Sequence, residues 1–226
     1  MAKERAKKRI LHSNVMVVGL GRFGSALAKE LMRTGHEVLG VDTDERIVQQ
    51  MAQELTHTVK ADTTEEATLR ELGVTEFDSA VVAIGADIES SILTTSLLLQ
   101  LGVPSVWAKA NSTSHGMILK QLGCHHVIFP EAEMGKRVAH MVSGETLDYV
   151  AIDSDFVMVK TEVPSSFDGQ TLAELKIRST YGVTVVAVTK GDGKYVPAFP
   201  ETVLNEGNQI VVAGQVEPLN EFCKLA

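Results

Sequence analysis

The stretch Gly19-Leu20-Gly21-Arg22-Phe23-Gly24 constrains the fold of this chain more than any other feature. It follows the apolar run 15–18 and opens a segment of helical period at 23–33. A G-x-G-x-x-G in that setting uses its first glycine for a tight turn. The second lets backbone N–H groups approach a pyrophosphate, and the third lets the helix lie close to the strand. The helix dipole then faces the anion. Asp42 closes the next apolar run, where an acid accepts hydrogen bonds from ribose hydroxyls and disfavours a 2′-phosphate. Strand, turn, helix and acid together read as a nucleotide site.

The rest of the first half keeps the same rhythm. Apolar runs at 15–18, 37–41, 58–60, 79–84, 105–108 and 126–129 alternate with helical segments at 23–33, 45–54, 65–72, 88–101, 114–122 and 131–142. Val- and Ile-rich strands, each followed by a helix, predict a doubly wound parallel sheet of the Rossmann-like α/β class. Gly35, Gly73, Gly102 and Gly123 each stand just past a helical segment, where a left-handed cap is wanted. Past Gly144 the strands come in hairpins: 156–162, 183–189, a turn at Gly191-Asp192-Gly193, a return at 195–196, and 209–213. A short helix is expected at 171–176, and the last strand precedes 218–224. The expected organisation is a basic tail at 1–13, an α/β nucleotide-binding domain at 14–144 and a small α+β module at 145–226.

Charge and apolar content narrow the function. With 29 acidic against 21 basic residues, the net charge of −8 opposes nucleic-acid binding, which wants a basic face. Cys124 and Cys223 are too few and too far apart for a disulfide framework or a metal motif. The basic N-terminal run reads as a solvated tail, or as an extension touching a partner or an acidic membrane surface. It leads into the first strand without a cleavage-like segment, so a cytosolic protein is expected. The most membrane-like segment, 88–101, falls short of the roughly 20 apolar residues of a span. Its Ile88, Ile92, Leu93, Leu97, Leu98, Leu99 and Leu101 spread round most of a helix, which predicts an oligomer contact or burial within one subunit.

Arg22 is the informative departure within the glycine loop. A guanidinium at a helix start that already serves a diphosphate can neutralise further phosphate, pointing to ATP or ADP rather than NAD. Catalysis is not expected. His57, His115, His125, His126 and His140 are scattered without a visible orienting acid, and no G-x-x-x-x-G-K-[ST] occurs. An NAD-dependent oxidoreductase remains the competing class.

The glycine loop, Val41-Asp42, Val82-Ala83-Ile84-Gly85-Ala86, Trp107-Ala108-Lys109-Ala110 and Phe129-Pro130-Glu131 through Met134-Gly135 resemble the KtrA-type RCK (KTN) subunits of bacterial potassium uptake systems. The likeness extends into Leu172-Ala173-Glu174-Leu175, Arg178, Tyr181-Gly182-Val183 and Pro197. It implies a cytoplasmic gating protein that forms dimers, assembles into an octameric ring and docks on a KtrB-like potassium-translocating subunit at the inner face of the membrane. ATP would favour the conducting state and ADP the resting one. Gly19, Gly21, Phe23 and Gly24 would cradle the phosphates, and Arg22 would reach the terminal one. Asp42 would hold the ribose, while Asp62, Thr63, Ile84, Gly85 and Ala86 would line the adenosine. Lys109 and His115 would lie near the phosphates, and Glu131 would help hold Mg2+ or another cation beside the γ-phosphate. An NAD(H)-binding TrkA-type regulator shares this fold and partner. Some KtrA-like proteins also bind cyclic di-AMP in the second module, and Arg178, Tyr181 and Pro197 are as compatible with that ligand as with plain packing.

Overall fold

Each apolar run of the first half becomes a short strand, and each periodic segment becomes a helix. The computed structural model describes residues 13–142 and 146–225, and the chain divides by its contacts into a unit 1–130 and a unit 131–226. In the first lie β1 (Asn14–Val18), α1 (Arg22–Arg33), β2 (Glu37–Asp42), α2 (Glu45–Met51), β3 (His57–Lys60) and α3 (Glu66–Glu71). There follow β4 (Ser79–Val82), α4 (Ile88–Gln100), β5 (Val106–Lys109), α5 (Thr113–Gln121) and β6 (His126–Ile128). All six strands pair in parallel, in the order β3-β2-β1-β4-β5-β6. The order reverses between β1 and β4, and ligands bind at the carboxyl ends of strands beside such a switch point.

Both faces of the sheet are buried, as helical crossovers require. Met16 and Val18 point into one cluster with Val41, Val82, Leu98, Val106 and Leu119. Val15 and Val17 point into the other with Leu20, Val38 and Met51. The alternation is the period of two that a strand imposes.

Helix α4 departs from the simple picture of a buried leucine helix. Its inward side carries Ser91, Thr94 and Thr95 beside Leu98, all fully buried, whereas Ile88 and Leu93 are 43% and 44% exposed. The two threonine hydroxyls are absorbed locally, while the buried Ser91 Oγ has no hydrogen-bond partner among the described residues. Thr94 Oγ1 pairs with Thr63 Oγ1 at 2.9 Å, and Thr95 Oγ1 donates to the Ser91 carbonyl at 2.7 Å. Small hydroxyl residues thus meet the core, while two of the apolar residues face outward.

The second unit opens with α6 (Pro130–Val142) and continues through β7 (Asp148–Ala151), β8 (Phe156–Glu162), α7 (Leu172–Leu175), α8 (Ile177–Tyr181), β9 (Thr184–Thr189), β10 (Tyr195–Pro197), β11 (Gln209–Gln215) and α9 (Val216–Cys223). Its sheet is antiparallel, in the order β10-β9-β11-β8-β7. The β9–β10 turn closes with Gly193 at φ +76°, and Thr171 and Glu174 make a reciprocal capping box at the start of α7. Arg137 of α6 grips Asp148 of β7 with two bonds of 2.8 and 2.7 Å, and His140 stacks on Tyr149 at 3.9 Å. Those contacts tie α6 to the second module, whereas the sequence pattern had it closing the first domain. The expected boundary at Gly144 and the basic tail through His12 lie outside the described residues. Among the described residues no helix is long and apolar enough to cross a membrane.

Candidate nucleotide site

The glycine loop turns sharply between β1 and α1, and at two of its positions only a glycine fits. Gly19 sits at φ +89°, and a Cβ there would stand 3.0 Å from the Ala83 carbonyl carbon. A Cβ on Gly24 would fall 1.9 Å from the Gly19 carbonyl oxygen, so α1 meets β1 only through a glycine. Gly21 is different. It lies at φ −64°, open to any residue, and a Cβ there would meet no atom of the protein within 4 Å. Packing does not require that glycine, but a phosphate drawn up to the backbone does.

Helix α1 starts at Arg22 with no side-chain cap and no acid in its first turn. Its first N–H groups have no partner within the helix, and the dipole leaves positive charge there. The Arg22 side chain is exposed and forms no hydrogen bond or ion pair among the described residues. Phe23 is half-buried at the same end.

Asp42 sits where the ribose of a bound nucleotide is expected, and it also has a structural task. Its Oδ2 accepts the Leu20 amide at 2.7 Å, and its Oδ1 accepts the Asp44 amide at 2.9 Å. A carboxylate offers about four lone pairs, so acceptor capacity remains for ribose hydroxyls.

The ends of β4 and β5 form the other wall. Gly85 and Ala86 are exposed beyond the half-buried Ile84. Lys109 is only 8% exposed, with Nζ 5.9 Å from the centre of the Phe23 ring. The same Nζ stands 3.4 Å from where a Gly85 Cβ would be. Residues from three separate segments thus converge at the start of α1.

Other expected contacts are placed less directly. Thr63 faces inward onto Thr94, leaving its backbone rather than its hydroxyl toward the strand ends. Asp62 is exposed and accepts both the amide and the hydroxyl of Thr64, bonds that hold its carboxyl below the usual range. His115 is 1% exposed, behind the surface, where Nδ1 accepts the Asn111 amide at 3.3 Å. Burial pushes its pKa down. Glu131 belongs to the second unit, in the first turn of α6 after Pro130, and a single carboxylate does not by itself hold a cation. Among the described residues no cluster of three or more His, Cys, Asp or Glu could hold a metal by itself. In the second module the Tyr181 ring packs edge-on to Phe222 at 5.5 Å, Arg178 Nε donates to Thr184 Oγ1 at 3.1 Å, and Pro197 ends the edge strand β10.

Two residues that sequence reasoning passed over complete the wall. Ser25 Oγ donates to the Leu20 carbonyl, and Asn111 Nδ2 donates to the Gly85 carbonyl. Neither belongs to a motif. The only signal in the sequence is that Asn111 stands two places beyond the end of β5.

A glycine turn, an uncapped helix start and an acid closing the next strand, on a sheet of this order, define a nucleotide-binding Rossmann domain carrying a small antiparallel companion. The TrkA-N domain model matches residues 15–130, and the TrkA-C domain model matches 156–226. The chain belongs to the family of Ktr-type potassium uptake proteins. It is 38% identical over 209 residues to Ktr system potassium uptake protein C of Bacillus subtilis, covering 92% of this chain and 95% of that one. It is 37% identical over 204 residues to Ktr system potassium uptake protein A of Vibrio alginolyticus, covering 90% and 93%. The GsuK RCK domain has the same fold, with a TM-score of 0.66 at 18% identity. That alignment covers 95% of this chain and 47% of the GsuK chain, about half its length. The expectation of a regulatory protein rather than an enzyme stands with that family.

Proposed function

We propose that this chain is the cytoplasmic nucleotide sensor of a potassium uptake system, with ATP favouring the conducting state and ADP the resting state. The observation that carries the reading is Gly21, a glycine that no protein atom requires, at the open N-terminus of α1. A backbone surface left bare in this way suits a polyphosphate. Names of relatives support the partner, since those quoted above are potassium uptake proteins. Structural neighbours support the ligand class. They include a GsuK channel bound to NAD (TM-score 0.62, 17% identity) and a Shewanella denitrificans Kef C-terminal domain in AMP-bound form (TM-score 0.50, 18% identity).

A regulator of this kind needs a difference between its two ligands, because a ligand that binds both conformations equally shifts nothing. Arg22 supplies a mobile charge at the phosphate end. Glu131 would be the carboxylate offered to a divalent cation, whose charge would offset that of the phosphates. Lys109 adds positive charge beside Gly85. In this reading the outward apolar residues of α4, Ile88 and Leu93, are covered by a second copy, and dimers assemble into the ring that meets the membrane subunit.

Calorimetric titration of the full chain with ATP, ADP and NADH, followed by potassium flux through the reconstituted membrane partner, tests this. ATP and ADP should bind with comparable affinity, and flux should be higher in ATP. Binding of the nicotinamide cofactor without ATP or ADP would overturn the proposal.

A further inference from the structure

Beyond β5 the chain makes a compact arrangement around Asn111, a residue to which the resemblance gave no role. Ser112 Oγ accepts the His115 amide at 3.1 Å and starts α5. His115 Nδ1 accepts the Asn111 amide at 3.3 Å, which places the proton on Nε2 and keeps the buried ring neutral. Asn111, so held by its backbone, reaches across with its side-chain amide to the Gly85 carbonyl. Gly85 follows Ile84, whose amide would lie 3.1 Å from a Cβ on Gly19. A run of close packing and hydrogen bonds, two of them made by side chains, therefore leads from the glycine loop through Ile84 and Gly85 to Asn111 and His115.

Gly85 stands in an exposed segment with Ala86 and Asp87, and a glycine there has wide conformational freedom unless something holds it. Its position decides the space beside the Lys109 ammonium. Asp42 marks one end of the glycine loop at β2, and Gly85 with Lys109 marks the other, across the switch point between β1 and β4.

We infer that Asn111 is a positioning residue for the phosphate end of the nucleotide site, fixing Gly85 so that the β4 loop and Lys109 form one wall around the outer phosphates. The inference rests on the nucleotide-binding reading and deepens it. Asn111 acts through Gly85 and Lys109, and its loss is felt by ligands that extend past the α-phosphate. A nucleoside monophosphate, which stops at the glycine loop, is indifferent to it.

The test uses the full chain, with ATP, ADP and AMP titrated separately into wild type, Asn111→Leu, Asn111→Ala and Asn111→Gln. The side chain is exposed, so the fold tolerates each change, and the melting temperature without nucleotide checks this. Leu and Ala remove the donor and should weaken ATP and ADP by about tenfold while leaving AMP within about twofold, the loss expected of one hydrogen bond. Gln keeps an amide donor on a longer stem and should recover most of the affinity. ATP affinity unchanged in both Leu and Ala variants would overturn the assignment, as would an equal loss for AMP, which marks a general structural role. If the wild type binds none of the three, the nucleotide reading fails and this inference with it. That result is distinguishable from failure of Asn111 alone, in which wild type and variants bind equally well.

Discussion

The Asp42 carboxylate accepts the Leu20 amide at 2.7 Å, so the acid at the end of β2 also fixes the glycine loop at the end of β1. Its second oxygen holds the Asp44 amide at 2.9 Å, steadying the entry to α2. Removing it strands two backbone donors. Asp42→Ala should cost about 1–3 kcal/mol in urea unfolding and should weaken ATP and ADP alike. A variant as stable as wild type would show that the loop keeps its shape without the acid.

Gly21 and Gly24 separate binding from folding. A methyl at Gly21 meets nothing within 4 Å and suits φ −64°, so Gly21→Ala should leave stability level or raise it by about 0.4–1 kcal/mol. Affinity for ATP should fall by at least about tenfold, because the methyl occupies the approach of the phosphate. Gly24→Ala forces a Cβ to 1.9 Å from the Gly19 carbonyl oxygen and should destabilise the first unit outright. Thermal melts and titrations on the two proteins check both statements. Equal nucleotide affinity in Gly21→Ala and wild type would remove the main support for the site.

Among the described residues Arg22 has no hydrogen-bond or ion-pair partner to lose. Arg22→Ala should therefore melt with wild type and bind AMP normally, yet lose about tenfold in ATP affinity, consistent with removal of a charge-assisted contact. Titration of ATP against AMP reads the difference, and an unchanged ratio of the two affinities places the guanidinium in solvent.

His115 gives the first unit a stability that depends on pH. Burial lowers its pKa in the folded protein, so the unfolded chain takes up the proton first. Stability is intact above the unfolded value of about 6.5 and declines as pH falls from there toward the lower folded value. Melting temperatures measured from about pH 7.5 to about 5.5 should drop, and His115→Gln should drop less steeply over the same range. Parallel curves would show that the proton goes elsewhere.

The outward side of α4 should hold copies together. Leu93 is 44% exposed on a helix whose opposite side is buried, so Leu93→Glu leaves the core untouched. Light scattering should show smaller assemblies, with circular dichroism unchanged. Retention of the wild-type mass would direct attention to another face.

Much of the first unit is legible in the sequence because the signals are local. Val15–Val18 and the later apolar runs have the length and residue types of buried parallel strands, and the helix stops fall at glycines in the left-handed region, such as Gly35 at φ +91°. The glycine loop carries its own geometry, since Gly19 and Gly24 have no alternative residue. The second unit is less open to such reading. Strand β7 is four residues long with Val150 exposed, and α8 is a single turn, so neither shows a period.

What the chain alone determined is the alternation of strand and helix, the phosphate turn and the acid that follows it, all set by backbone sterics and hydrophobic period over a few neighbouring residues. Only the tertiary structure decided that Thr94 faces Thr63 while Leu93 faces out, and that α6 is gripped by Asp148. It also decided that Lys109 and Asn111 meet Gly85. The Thr63–Thr94 and Gly85–Asn111 contacts join residues more than twenty positions apart in sequence. Their geometry follows from strand order and register, which no local pattern of side chains encodes.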